Sequence, residues 1–153
     1  DVIVGAGAAT TAGGIVPAAT EAGVLYLAPV NSSLTQAGAR FQGLYWRMSP
    51  SSLAQGTLLA DRIAADGHDA VAIIHSDDDY AAALAQAVGA AVRRSGGSVV
   101  ADVGYTSSSV DFAAPVAKVK KANPDAIVLV GFDESAQVVF ELVQQGIGPN
   151  SVG

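Results

Sequence analysis

The sequence predicts an α/β fold built on doubly wound parallel sheets. The first indication is the stretch from Ala70 to Ile74, which is apolar without alternation, as expected for a strand covered on both faces. The second is that segments of strand character begin at Ala70, Ser98 and Ala126, at intervals of 28 residues (70 to 98, and 98 to 126). Helical patterns fill the intervals, and alternation of this kind produces a parallel sheet with helices on both faces.

The helices of this repeating part are predicted from apolar residues spaced three and four apart. They cover about residues 79–94, 109–121 and 134–145. Gly96-Gly97 and Asn123-Pro124 mark the turns that lead back to the next strands. Because ligands bind beyond the carboxyl ends of the strands in such sheets, the turn that follows the first of these strands is the first place to expect a site.

The first part of the chain has weaker patterns. Short strands are predicted at residues 2–4, 24–28 and 44–48, with a Gly-rich helix at 15–22 that Gly23 ends. This is thin material for an independent core. Residues 1–47 are therefore expected to form part of one lobe, and residues 48–153 most of a second.

A further helix is predicted between the two parts. Ser49 is expected to cap it, with Pro50 at the first helical position, and the helix should continue to about Asp66 before Gly67.

Composition removes several classes of function. Half of the 153 residues are hydrophobic and 14% are charged, so a buried core is available. The net charge is −6, and the basic cluster Lys118, Lys120 and Lys121 fits the solvated face of a helix, which argues against a nucleic-acid partner. The absence of cysteine excludes disulfides, thiolate metal sites and a cysteine nucleophile.

The turn Gly5-Ala6-Gly7 after the first strand has three interpretations. It could be the glycine turn of a flavin- or nicotinamide-binding unit, although Thr10 replaces the third glycine and no acid ends the second strand. It could be a close-packed loop of small residues. It could also hold a smaller anion, such as a carboxylate, through backbone amides and the hydroxyls of Thr10 and Thr11.

The run Asp77-Asp78-Asp79 precedes a predicted helix, so capping explains at least one of these acids. A metal pocket and a ligand contact are the alternatives. Tyr80 could be a core residue or a ligand contact, whereas His68 and His75 lack partners at catalytic or metal-ligand spacing. No nucleophile or metal constellation supports an enzyme.

Three stretches of the chain together resemble the type 1 periplasmic binding proteins. They are residues 4–35, 45–88 and 104–148, which contain an arginine followed by Ser49-Pro50, the helix start Asp79-Tyr80 and the pair Asp111-Phe112. The closest group is the leucine/isoleucine/valine-binding branch of the substrate-binding proteins of ABC transporters.

This resemblance implies two Rossmann-like lobes that close over a small molecule, with the first lobe incomplete in this chain. It also implies a set of ligand-binding residues. Two loops would hold a carboxylate, two aromatic residues would cover the ligand, and two acids could take the place of an ammonium partner that lies beyond Gly153. These residues are, in that order, Ala9, Thr10 and Thr11 with Asn31, Ser32 and Ser33; Tyr80 and Phe132; and Asp79 and Asp133.

The function implied is that of a solute-binding component of an ABC importer, which binds without catalysis and without a cofactor. Its ligand would be a small carboxylate-bearing metabolite such as an aliphatic or branched-chain amino acid. Its protein partner would be a membrane permease, and its location periplasmic or extracellular, with or without a lipid anchor. A ligand-sensing domain of a regulator or receptor, and a flavin or nicotinamide enzyme that uses Gly5-Ala6-Gly7, are the alternatives.

Overall fold

The computed structural model of the protein describes residues 1–5, 9–32 and 41–148, except for the side chains of Ala9 and Thr10. The described helices and strands are, in chain order, β1 (Val2–Val4), α1 (Ala9–Glu21), β2 (Leu25–Ala28), β3 (Tyr45–Arg47), α2 (Ser52–Ala65), β4 (Ala70–Ser76), α3 (Asp79–Arg94), β5 (Ser98–Tyr105), α4 (Ala113–Lys121), β6 (Ala126–Val130) and α5 (Ser135–Gln144). Within the described ranges, none of these helices has the length and apolar character needed to cross a bilayer.

The chain divides into two compact units, which we call the first unit (Asp1–Ala54) and the second unit (Gln55–Gly153). The division lies in the first turn of α2, whereas the sequence led us to expect it after residue 47.

The second unit contains a parallel sheet with the strand order β5-β4-β6. Alternate residues of the central strand point to opposite faces, and both faces are buried. Val71 and Ile73 belong to a core cluster with α3, while Ala72 and Ile74 belong to another with α4 and α5. The expected doubly wound α/β fold is confirmed, and the three predicted strand starts are those observed.

Helices α2 and α3 approach each other closely in the second unit, and Gly56 makes this possible. A Cβ atom at Gly56 would lie 2.7 Å from backbone atoms of Ala87 and Val88. Only hydrogen fits in that space, so the separation of the two helices is set by backbone contact.

The first unit contains a parallel sheet with the order β1-β2-β3 and one helix, α1. Its core consists of Ala12, Val16 and Ala19 of α1 packed with residues of β2 and with Phe41. All three residues of β1 are exposed. Counting only the residues that the structure describes, fewer apolar side chains are therefore buried around this sheet than around that of the second unit.

Three predicted helix starts need correction. Helix α1 begins at Ala9, well before residue 15, because burial of its Ala12–Val16–Ala19 face outweighs the weak helix propensity of its Thr and Gly residues. Its predicted end is confirmed, since Gly23 has a φ of +74° and the N–H of Val24 bonds the Ala19 carbonyl at 2.9 Å.

Helix α2 is capped by Ser51 and not by Ser49, since the Ser51 Oγ accepts the N–H of Ala54 at 3.2 Å. Helix α4 begins at Ala113, later than residue 109, because the Asp111 carboxylate accepts the N–H of Ala113 at 2.9 Å and closes a local turn.

Candidate functional site

The turn after β4 is ordered by the side chain of Asp78, which caps α3. Its Oδ1 accepts the N–H groups of Tyr80 and Ala81, each at 3.0 Å, and its Oδ2 accepts the hydroxyl of Ser76. Asp77 accepts the N–H of Ser107 at 3.0 Å and so ties the loops after β4 and β5 together. That hydrogen bond lowers the pKa of the Asp77 carboxyl. The prediction that capping explains at least one acid of the run is confirmed.

Two of the predicted site residues, Tyr80 and Phe132, are brought together at the carboxyl edge of the second unit's sheet. Tyr80 lies in the first turn of α3, and Phe132 follows β6. Their ring centroids are 6.2 Å apart with an interplanar angle of 51°, within the usual range for interacting aromatic rings. Phe132 is 58% exposed. We call these two residues the aromatic pair.

Each member of the aromatic pair is attached to a polar side chain of the same unit. The Tyr80 hydroxyl donates to Oε1 of Gln55 in α2 at 3.1 Å. The N–H of Phe132 donates to Oε1 of Glu134 at 3.1 Å, and the same oxygen accepts the hydroxyl of Tyr105 at 2.9 Å. The chain thus folds back on itself after β6, and the carboxylate of Glu134 joins that turn to the end of β5.

Gly131 is required at this turn. A Cβ atom there would lie 2.7 Å from Oγ of Ser135 and 2.8 Å from Oε1 of Glu134, and it would overlap the Tyr105 hydroxyl. A side chain at this position would therefore displace the Glu134–Tyr105 hydrogen bond.

The pKa values of the two ionisable groups in this hydrogen bond are shifted in the directions that favour it. Burial raises the pKa of Tyr105 to about 12, with further contributions from the hydrogen bond and the charge of Glu134. Burial also acts to raise the pKa of Glu134. Hydrogen bonds from the N–H groups of Phe132 and Glu134 and from the Tyr105 hydroxyl outweigh it, so the pKa lies below its ordinary value. At neutral pH the phenol is protonated and the carboxylate is charged, as the hydrogen bond requires.

A groove of about 360 Å³ runs beside Tyr80, between helices α2 and α3 and strand β6. Its apolar walls include Leu59, Ile63 and Leu84. The aromatic pair is therefore continuous with apolar surface within the second unit.

The predicted site residues of the first unit lie at two places. Ala9, Thr10 and Thr11 form the first turn of α1, where backbone N–H groups lack partners within the helix. Asn31 and Ser32 are buried, and Ser32 contacts Ser52. The Ser52 hydroxyl donates to the Ser32 hydroxyl at 3.2 Å, and the N–H of Ser52 donates to the Ser32 carbonyl at 3.0 Å. Ser33 lies outside the described residues.

The two remaining candidates, Asp79 and Asp133, are polar and exposed. Both lie on the carboxyl edge of the second unit. His75 lies between the Ser76 carbonyl, 2.7 Å from Nδ1, and the Asp102 carboxylate, 3.4 Å from Nε2. Among the described residues, no group of His, Asp and Glu side chains could hold a metal ion.

Sequence reasoning missed Gln55, Glu134 and Ser52 and did not connect Tyr105 with the site. Tyr105 ends a predicted strand, and that position was the one signal that could have marked it. Gln55 and Glu134 are ordinary helix or turn residues in the sequence. Their partners lie 25 and 29 residues away, so no local pattern reveals them.

Residues 1–152 match the sequence profile of the family described as periplasmic binding protein. The chain belongs to the periplasmic binding protein family. The resemblance inferred from the sequence is thereby confirmed, and the parallel α/β units agree with it. Among curated proteins there is no match.

Solved structures of this family share the fold. One is a solute-binding protein of an ABC transporter from R. palustris, solved in complex with 4-hydroxybenzoate. It is 21% identical in sequence with a TM-score of 0.84, and the match covers 99% of this chain and 41% of that protein's chain. An ABC transporter substrate-binding protein from Desulfitobacterium hafniense, in complex with Leu, is 20% identical with a TM-score of 0.77 over 96% and 44%.

An extracellular ligand-binding receptor from Rhodopseudomonas palustris HaA2 is 18% identical, with a TM-score of 0.85 over 97% of this chain and 42% of its own. The chain thus spans between 41% and 44% of the length of these three proteins.

Proposed function

We propose that the protein is the solute-binding component of an ABC importer and that it binds a small carboxylate-bearing metabolite. The observation that carries the proposal is the family match over residues 1–152. Proteins of this kind bind and release a ligand without making or breaking bonds, and they pass it to a permease. A periplasmic or extracellular location follows from that role.

The first unit suits the ligand's carboxylate. The helix N-terminus at Ala9, Thr10 and Thr11 offers backbone N–H groups and a favourable dipole. Asn31, Ser32 and Ser33 would add amide and hydroxyl groups. Neutral donors bind a carboxylate strongly when water is excluded, because charge-assisted hydrogen bonds are about twice as strong as neutral ones.

The second unit suits the rest of the ligand. The aromatic pair provides exposed apolar surface where a parallel sheet ends. Asp79 and Asp133 would stand near an ammonium group if the ligand is an amino acid. Leucine and 4-hydroxybenzoate, named with the two solved structures above, each combine a carboxylate with an apolar body, so both belong in the first test.

The test is isothermal titration calorimetry of the protein as its gene encodes it, with leucine, isoleucine, valine and 4-hydroxybenzoate. Phe132→Ala should weaken binding of the recognised ligand by about tenfold or more, since a stacked ring contributes on the order of 1 kcal/mol beyond its buried area. Phe140→Ala is the matched control, because Phe140 is 64% exposed on α5 and Phe132 is 58% exposed.

Equal affinity of the Phe132→Ala and Phe140→Ala variants would contradict the assignment of Phe132. Failure of the unmodified protein to bind any of the four compounds would contradict the proposed ligand class.

A further inference from the structure

We infer that Gln55 and Glu134 are positioning residues for the aromatic pair, and that Tyr80 offers the ligand its ring and not its hydroxyl proton. The inference rests on the proposed function and deepens it, because it determines which part of the ligand meets the second unit.

Gln55 determines what the Tyr80 hydroxyl can do. A phenol has one proton to donate, and here it is donated to Oε1 of Gln55 at 3.1 Å. That proton is then not available to a carboxylate or hydroxyl oxygen of the ligand. The neighbouring Gly56 allows α2 to meet the backbone of α3 at Ala87, which brings Gln55 within reach of Tyr80.

Glu134 positions Phe132 through a hydrogen bond to the main chain. One carboxylate oxygen accepts both the N–H of Phe132, at 3.1 Å, and the hydroxyl of Tyr105, at 2.9 Å. Tyr105 is buried at the end of β5, so the turn that carries Phe132 is attached to the sheet. Gly131 leaves just enough space for this arrangement, since a Cβ atom there would lie 2.8 Å from the same oxygen.

The two attachments hold the Tyr80 ring, and the turn that carries Phe132, in place before any ligand arrives. Pre-organised rings bind with a smaller loss of side-chain entropy than rings that must be ordered on binding. The surface they present is a pair of tilted ring faces. The ligand class is therefore a carboxylate with an apolar tail or ring, and that apolar part contacts Tyr80 and Phe132.

The experiment is a double-mutant cycle between Gln55 and Tyr80, measured as the dissociation constant of the recognised ligand with the protein as its gene encodes it. Gln55→Leu and Tyr80→Phe should each weaken binding by about three- to tenfold, the range of one hydrogen bond. The double variant should be no weaker than Gln55→Leu alone, because Gln55→Leu already removes the contact that Tyr80→Phe removes.

Conservative variants separate positioning from general damage. Gln55→Glu keeps an acceptor oxygen for the Tyr80 hydroxyl and should retain more affinity than Gln55→Leu, as expected if Tyr80 is the donor. Glu134→Gln keeps an acceptor oxygen and should retain more affinity than Glu134→Ala. Gln86→Leu, the same change as Gln55→Leu at an exposed position on α3, should leave the dissociation constant unchanged.

Three outcomes overturn the inference. Additive losses in the Gln55/Tyr80 cycle would mean that Gln55 does not act through the Tyr80 hydroxyl. A loss on Tyr80→Phe far larger than that on Gln55→Leu would mean that the ligand takes the hydroxyl proton. Equal affinities of the Glu134→Ala variant and the wild type would mean that Glu134 does not position Phe132 for the ligand. In each case the wild type still binds, so the proposed function survives. A wild type that binds none of the four compounds overturns both.

Discussion

The parallel sheet of the second unit has helices on both faces, whereas α1 is the one helix that packs on the sheet of the first unit among the described residues. In β4, residues 71–74 are fully buried. In β1, Val2 is 57% and Val4 is 67% exposed. The same strand-and-helix architecture therefore rests on very different amounts of buried apolar surface. The rigid arrangement of polar partners around Tyr80 and Phe132 belongs to the unit with the larger core.

The largest expected effect tests this difference with one chemical change made in each sheet. Ile74→Ala in β4 should lower the free energy of unfolding by about 2–5 kcal/mol, because Ile74 is wholly buried and the site cannot collapse fully. Ile3→Ala in β1 should cost less, about 1–2 kcal/mol, since 37% of Ile3 is already exposed in the folded protein. Urea denaturation followed by circular dichroism measures both. Equal losses would mean that the two sheets are equally well covered.

Glycine to alanine should have opposite effects in the two units. Gly56→Ala should destabilise the second unit by about 1–3 kcal/mol, because the new methyl would meet the α3 backbone, which cannot rotate away. Gly14→Ala in α1 should stabilise the first by up to about 1 kcal/mol, since alanine favours a helix and no described atom lies within 4 Å.

The measurement is the melting temperature of each glycine variant compared with that of the wild type. It should fall for Gly56→Ala and rise for Gly14→Ala. A gain in melting temperature for Gly56→Ala would show that α2 and α3 are further apart than the structure has them.

The cap of α3 should contribute a smaller amount. Asp78→Ala should cost about 1 kcal/mol, within the range of about 0.5–2 kcal/mol for lost N-caps, because two backbone N–H groups lose their acceptor. Asp78→Asn retains an acceptor oxygen and serves as the control. Denaturant midpoints of the two variants should differ from each other, and coincident midpoints would argue that charge, not capping, is what Asp78 contributes.

The smallest expected effect is the dependence of stability on the titration of Tyr105, which appears only at alkaline pH. Its pKa in the folded protein is about 12, against an ordinary value of 10.0, so the unfolded chain loses this proton first. The stabilisation is therefore fully present below pH 10 and is lost as the pH rises through about 12. Urea midpoints measured at stepped alkaline pH should fall more steeply for the wild type than for Tyr105→Phe.

Trp46, the single tryptophan, lies in the first unit and reports on that unit separately. If the two units unfold independently, the midpoint of its fluorescence change is the same in the wild type and in Tyr105→Phe. A difference confined to Trp46 fluorescence would mean that the substitution of Tyr105 destabilises the first unit and not the second, which contradicts the prediction.

The sequence predicted the second unit well and the first less well, for a physical reason. Helix α3 runs over the predicted residues 79–94 because its apolar spacing, its Asp cap and its final turn all agree. Helix α1 was predicted six residues too late (residue 15 against Ala9), because contacts with β2 and Phe41, and not local propensity, hold its first turns in a helix.

The candidate site divides in the same way. Tyr80 and Phe132 were predicted as ligand contacts through the resemblance and the position of strand ends, and the structure places their rings side by side. Ser32 was expected in a polar turn, and the structure places it in buried contact with Ser52, 20 residues away. The ligand-binding role of the site residues in both units remains a prediction.

The sequence by itself determined the alternation of strands and helices in the second unit, the cap of α3 and the family, since each depends on residue types at fixed local spacing. Only the tertiary structure decided that Gln55 would reach Tyr80 and that Glu134 would join Phe132 to Tyr105. Such hydrogen bonds depend on how closely separate elements pack, and a missing side chain at Gly56 and at Gly131 sets that distance.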